Sequence, residues 1–115
     1  MRKALIVGID YYQNANSLFG CVNDAYSVKS VLERHSDGSI NFGVNLMVAN
    51  GPDSAISKRD LKDNIQKLFA DDCDVALFYF SGHGYIESTG GYLVTSDCND
   101  GDDGLSLNEL LTIAN

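Results

Sequence analysis

The stretch that constrains this chain most is Val75-Ala-Leu-Phe-Tyr-Phe-Ser-Gly-His-Gly-Tyr85, an apolar run that stops on a histidine held between two glycines. Aromatic and aliphatic side chains with no charge among them predict a strand buried on both faces, as in a parallel sheet covered by helices. His83 then falls where that strand ends. In open α/β sheets, ligands bind in the crevice beyond the carboxyl ends of the strands, so topology as well as chemistry points to His83. Gly82 and Gly84 strip side chains from around it and let the backbone approach a bound group. His35 is the only other histidine. An imidazole at such an edge suits general acid or base work; the alternative is a turn residue hydrogen-bonded to backbone.

The remainder alternates strand and helix. Lys3-Ala-Leu-Ile-Val-Gly-Ile9 is a second apolar run and a predicted central strand, closed by Asp10 at the same edge as His83. A polar, Asn-rich loop follows from Tyr11 to Gly20. Helical spacing then runs from about Asn23 to Arg34, with Ala25, Val28, Val31 and Leu32 on one face. Phe42 to Ala49 reads as another strand, broken by Asn50-Gly51-Pro52-Asp53. Ser57 with Asp60 resembles a capping box for a helix that turns Leu61, Ile65, Leu68 and Phe69 inward. After the His83 strand, Gly90-Gly91 turns into a short strand at Tyr92 to Thr95, and Ser106 with Glu109 signs a last helix reaching Ala114. The order βαβαββα calls for an α/β fold with a parallel sheet between helices. No strand follows the last helix, so the sheet is expected to keep an unpaired edge or lack a neighbour.

Length and charge narrow the function. A chain of 115 residues is one domain, able to bury roughly two-thirds of its unfolded surface. Its apolar runs are strand-sized, far short of the ~20 residues that cross a bilayer, and its start lacks the apolar run of a secretory signal. The expectation is a cytoplasmic protein. Three cysteines without a Cys-x-x-Cys pair argue against a disulfide framework or structural zinc. A net charge of -8 disfavours nucleic acid and anionic membrane as partners and favours cationic peptides. The acidic residues crowd into Asp71 to Asp74 and Asp97 to Glu109, where solvated loops are the simplest reading.

None of the cysteines makes a good nucleophile, since a reactive thiolate wants positive surroundings. Cys73 lies among Asp71, Asp72 and Asp74; Cys98 lies between Asp97 and Asp100; Cys21 has no adjacent cation. Metal binding through His83 lacks a second histidine at ligand spacing. Val7-Gly8-Ile9-Asp10 lacks the further glycines of a dinucleotide or phosphate loop.

Four segments together carry a resemblance: Lys3 to Tyr12; Leu18-Phe-Gly-Cys21-Val-Asn-Asp24-Ala25; Phe78-Tyr-Phe-Ser81-Gly-His83-Gly84; and Tyr92-Leu-Val-Thr-Ser-Asp97. In order and spacing they resemble the amino-terminal, large-subunit-like part of a caspase-like cysteine peptidase of the metacaspase or bacterial caspase-homologue type. The resemblance spans residues 1–115 and implies a three-layer caspase-like fold, its mostly parallel sheet flanked by helices and incomplete on the C-terminal side. It implies that His83 is the histidine of a His-Cys dyad and that Gly84 offers its N–H to the oxyanion. It aligns Cys21, Asp24 and Ser81 with a pocket for Arg or Lys at P1. Asp24 suits a guanidinium partner, and equally suits a first-turn helix acid. No cofactor is required. Some relatives use calcium, and the resemblance extends to Asp97, with Asp100, Asp102 and Asp103 adding oxygens; their spacing is not that of an EF-hand, and a solvated loop is the alternative.

The chain departs from that family in one respect. There the nucleophilic cysteine ends the strand after the helix signed by Ser106, and this sequence stops before that strand. The expectation is a fragment inactive alone, since its last helix ends in mid-pattern without a capping glycine. The missing strands would come from downstream sequence or from a small-subunit-like second chain. The other reading is a short, non-catalytic caspase-homologous module that binds or scaffolds.

Overall fold

The computed structural model describes residues 1–70, 72–99 and 104–115. Its elements run β1 (Arg2–Ile9), α1 (Cys21–Glu33), β2 (Phe42–Ala49), a short 3-10 turn (Pro52–Ser54), α2 (Lys58–Ala70), β3 (Val75–Ser81), β4 (Gly84–Glu87), β5 (Gly90–Leu93), β6 (Leu105–Ser106) and α3 (Leu107–Ala114). The main sheet has the order β2-β1-β3 and is parallel throughout. A smaller antiparallel sheet has the order β4-β5-β6.

β1 is the centre because it is the strand that is apolar on both faces and paired on both edges. Leu5, Val7 and Ile9 point into one core with Leu61, Ile65 and Leu68 of α2, while Leu110 and Ile113 of α3 pack at its margin. Ala4 and Ile6 point into the other with Ala25, Val28 and Leu32 of α1. The chain is therefore three layers, helices on both faces of a mostly parallel α/β sheet. Leu5, Ile6, Val7 and Ile9 are essentially inaccessible, and each such side chain contributes about 1.5–3 kcal/mol by burial.

Several sequence expectations shift. The apolar run of β3 is half-buried rather than enclosed, because among the described residues it pairs with β1 alone and forms the sheet's edge. Its side chains still divide between the two cores, Leu77 and Tyr79 to one and Ala76, Phe78 and Phe80 to the other. α1 begins at Cys21, two residues ahead of the expected start, and Val31 is exposed, lying off the Ala25-Val28-Leu32 stripe. Gly84 to Glu87 is a strand, so His83 occupies a two-residue link, Gly82–His83, between β3 and β4. The expected caps are in place: Ser57 Oγ accepts the Asp60 N–H at 3.0 Å, and Ser106 Oγ accepts those of Asn108 and Glu109. No helix among the described residues is long and apolar enough to cross a membrane.

The close seating of α1 depends on Gly8. A Cβ there would lie 2.5 Å from the Cys21 carbonyl oxygen and 2.8 Å from Ala25 Cβ. The prediction is that Gly8→Ala lowers stability by about 1–3 kcal/mol through overpacking, read as a fall in the urea midpoint. An unchanged midpoint would mean that the helix does not depend on this contact.

Candidate active site

Parallel strands deliver their carboxyl ends to one rim, and Ile9, Ala49 and Ser81 end there together. Beyond Ile9 the chain bends over β2, the amides of Asp10 and Tyr11 both donating to the Ala49 carbonyl. Gly20 precedes α1 and has no side chain to cap it. Asp10 does so instead: Oδ1 accepts the Cys21 N–H at 2.8 Å and Oδ2 that of Val22 at 3.3 Å. A carboxylate at a helix N-terminus satisfies orphan donors and complements the dipole. The loop between is held at both ends, Leu18 N–H donating to the Asp10 carbonyl and Gln13 N–H to the Ser96 carbonyl.

His83 is fixed at three atoms, two of them held by the loop between β1 and α1 and one by the residue after β5. Its N–H donates to Tyr12 Oη at 2.7 Å. Its carbonyl accepts the Val94 N–H at 3.0 Å. Its Nε2 lies 2.9 Å from the Asn16 carbonyl oxygen. A carbonyl can only accept, so that bond puts the ring proton on Nε2 and leaves Nδ1 as the basic nitrogen. The imidazole is partly exposed and lines a cavity of about 550 Å³ with Asn14, Asn16, Tyr85, Val94 and Cys98. Antiparallel ladders alternate bonded and non-bonded pairs. The His83–Val94 bond makes Gly84–Leu93 the non-bonded pair in the β4–β5 register, which turns the Gly84 N–H away from β5.

Tyr12 lies beneath this histidine, 5% exposed, its ring centroid 4.6 Å from the imidazole at 54°. Burial pushes its phenol up to about 12 against the pull of the His83 N–H, and Cys21, Cys98 and Asp10 nearby add to the rise. It is a neutral hydroxyl at any physiological pH.

The other expected site residues fall around the same rim without all meeting. Cys21 opens α1 with its carbonyl over Gly8, and Ser81 stands opposite Gly8 in the β1–β3 register. Asp24 is exposed in the first turn of α1. None of Cys21, Asp24 and Ser81 is among the residues that line the His83 cavity. Asp97 Oδ1 accepts both the Lys58 N–H at 3.0 Å and the Thr95 hydroxyl at 2.7 Å. That carboxylate holds the start of α2. Asp100, Asp102 and Asp103 lie outside the described residues, and among the described residues no group of three or more His, Cys, Asp or Glu could hold a metal ion.

Tyr12, the Asn16 carbonyl and the cavity-facing Cys98 were not singled out by sequence as parts of the histidine's surroundings. An aromatic residue just past the end of β1 is a signal for the first. A backbone carbonyl leaves no signal at all. Cys98 Sγ accepts the Thr95 N–H at 3.2 Å, and Asn14 Nδ2 donates to the Cys98 carbonyl at 3.0 Å.

Comparison with known proteins bears on this rim. Residues 1–114 match the family described as the caspase domain. A protein named Metacaspase-1 from Scheffersomyces stipitis is 32% identical over 89 residues, 72% of this chain and 21% of that protein. Metacaspase-1 from Schizosaccharomyces pombe is 30% identical over 86 residues, 72% of this chain and 20% of that one. Metacaspase-1 from Plasmodium falciparum is 29% identical over 104 residues, 86% of this chain and 17% of that one. The chain spans about a fifth of the length of these curated relatives.

The raised phenol of Tyr12 has a consequence for stability. The fold favours the neutral form, so this contribution is complete below the ordinary value of 10.0 and is lost as pH rises through about 12. Tyr12→Phe should flatten the decline of the urea midpoint across that window. A decline as steep as in the parent protein would assign it to other groups.

Proposed function

Because the chain belongs to the caspase-domain family of cysteine peptidases, we propose that it is the histidine-bearing part of an endopeptidase cutting after Arg or Lys. The observation that carries this reading is the bond from His83 Nε2 to the Asn16 carbonyl, which leaves Nδ1 as the nitrogen that can accept a proton. In the proposed reaction Nδ1 takes the proton of a cysteine thiol. The thiolate attacks the P1 carbonyl carbon, and the Gly84 N–H donates to the oxyanion that forms. Collapse breaks the peptide bond, the leaving amine takes the proton from His83, and water then releases the acyl group with His83 again acting as base.

The nucleophile is proposed to come from sequence outside these residues. Cys73 adjoins Asp74, at the end of β3 remote from His83 and paired with the Met1 ammonium at 2.7 Å. Cys98 shares the histidine's cavity, but its sulfur is engaged within its own turn by the Thr95 N–H. On this reading the 115-residue chain alone turns over no peptide. For P1, the exposed Asp24 carboxylate at the start of α1 would pair with the substrate cation, Cys21 and Ser81 forming the wall behind it. The chain's net charge of -8 supports a cationic substrate through long-range attraction.

Assay of the full-length protein on short Arg, Lys and Asp peptides tests both halves. Cleavage should follow Arg and Lys, and His83→Ala should lower kcat/KM by about 10²–10⁴. Unchanged turnover in that variant would remove the assignment; peptide binding without turnover in the parent would favour a scaffold. Asp24→Asn should raise KM for Arg peptides by about tenfold or more, the equivalent of one lost charge pairing, while leaving kcat nearly as it was. An Arg preference untouched by that change would move the P1 carboxylate elsewhere.

A further inference from the structure

The mechanism above uses the imidazole and the amide after it but gives no work to Tyr12, although its hydroxyl is bonded to the same residue. In an antiparallel ladder the residues of a hydrogen-bonded pair exchange both N–H···O bonds. His83, one residue ahead of β4, makes only one of the two with Val94. Its carbonyl takes the Val94 N–H, while its own N–H goes to Tyr12 Oη, 71 positions away in sequence. A second observation shows that this hydroxyl is built in. A Cβ on Gly82 would lie 2.6 Å from Tyr12 Oη and 3.0 Å from the Phe80 ring, so the absence of a side chain at 82 is what makes room for the phenol. The ring lies in the same core as Leu5, Val7 and Ile9 of β1, the best-buried strand.

We propose that Tyr12 is a positioning residue for proteolysis: its hydroxyl, by accepting the His83 N–H, fixes the Gly82–His83 peptide and with it the direction of the imidazole. The inference rests on reading the rim as a peptidase site. Of the three anchors on His83, two end on backbone atoms, the Asn16 carbonyl and the Val94 N–H. Tyr12 supplies the remaining one, from a side chain buried against the core just past the end of β1. Without it the Gly82–His83 peptide can rotate, which displaces the base, while the Gly84 N–H stays with the peptide that the Val94 bond holds. Asp24 and Ser81 keep their places on α1 and β3, so substrate affinity should be spared.

The test is made in the full-length protease with an Arg peptide. Tyr12→Phe removes one oxygen and keeps the ring; kcat should fall about 10- to 100-fold, the loss that a displacement near 1 Å produces, with KM within about twofold. Gly82→Ala pushes the hydroxyl aside while keeping it, and should give the same split. In the double variant the alanine methyl meets no oxygen. The midpoint loss caused by Gly82→Ala should therefore shrink in the Tyr12→Phe background, while kcat stays low. A kcat at the parent level in either folded single variant, or a fall in KM and kcat that follows lost stability alone, overturns the proposal. His83→Ala separates the two ideas: unchanged turnover there defeats the peptidase reading, whereas abolished turnover there with normal Tyr12→Phe kinetics defeats this inference alone.

Discussion

Gly8 has no side chain, and the Cys21 carbonyl and Ala25 methyl occupy the space where one would be. From that contact the position of the rim follows. Among the described residues β1 is the strand enclosed on both faces and paired on both edges, so it is the reference frame of the molecule. Seating α1 directly on it fixes where Cys21 and Asp24 stand, and the Asp10 carboxylate, which continues β1, then caps the same helix. Helix start and strand end are locked to each other within one turn of chain. A helix set back by a methyl group would leave Asp10 short of the Cys21 and Val22 amides.

The loop between β1 and α1 is irregular yet well held, because its polar groups find partners on the far side of the rim. Gln13 reaches Ser96, Asn14 reaches Cys98, and the Asn16 carbonyl reaches His83. Ser96 in turn is fully buried and exchanges bonds with Ile56, its N–H donating to the Ile56 carbonyl and its Oγ accepting the Ile56 N–H. A buried serine of this kind costs free energy unless every polar atom is matched. Here the matching links the loop after β1, the segment before α2 and the segment after β5. The histidine therefore sits at the meeting of several segments and is a property of the folded chain, not of its own loop.

Much of the architecture was legible in the sequence because its causes are local. The bounds of β2 at Phe42 and Ala49, the caps at Ser57 and Ser106, and the inward face Leu61, Ile65 and Leu68 all follow from short-range periodicity and capping chemistry. The apolar run of β3 announced a strand but not its place. Composition reports that Val75 to Phe80 is apolar; it does not report that β1, the shorter-chained strand, takes the centre and leaves β3 at the edge. Val31 misled for a related reason, being apolar yet just outside the stripe that α1 turns inward. β4 escaped notice because Gly84-Tyr-Ile-Glu87 has neither length nor alternation to mark it, and it is paired only through the turn that Gly90 permits, at φ 123°. His83 and Asp10 could be placed on one rim from sequence because both follow apolar runs in a parallel sheet. The bonds that orient the imidazole could not, since Tyr12 and Asn16 lie some 70 positions away, and one of them contributes only a carbonyl.

Asp97 shows how one acidic residue in a rich acidic segment acquires a definite task. A carboxylate among aspartates and glycines reads as a metal ligand or as solvated charge with nearly equal force. Its Oδ1 takes the first free amide of α2 and the Thr95 hydroxyl, which is an N-terminal cap delivered from a distant segment, just as Asp10 caps α1. The two helices that face opposite sides of the sheet are thus both started by carboxylates on the rim that carries His83. Each cap sets negative charge against a positive helix end, so neither leaves an uncompensated charge beside the imidazole. Asp24 differs from both in lying on the helix itself, exposed within the first turn of α1.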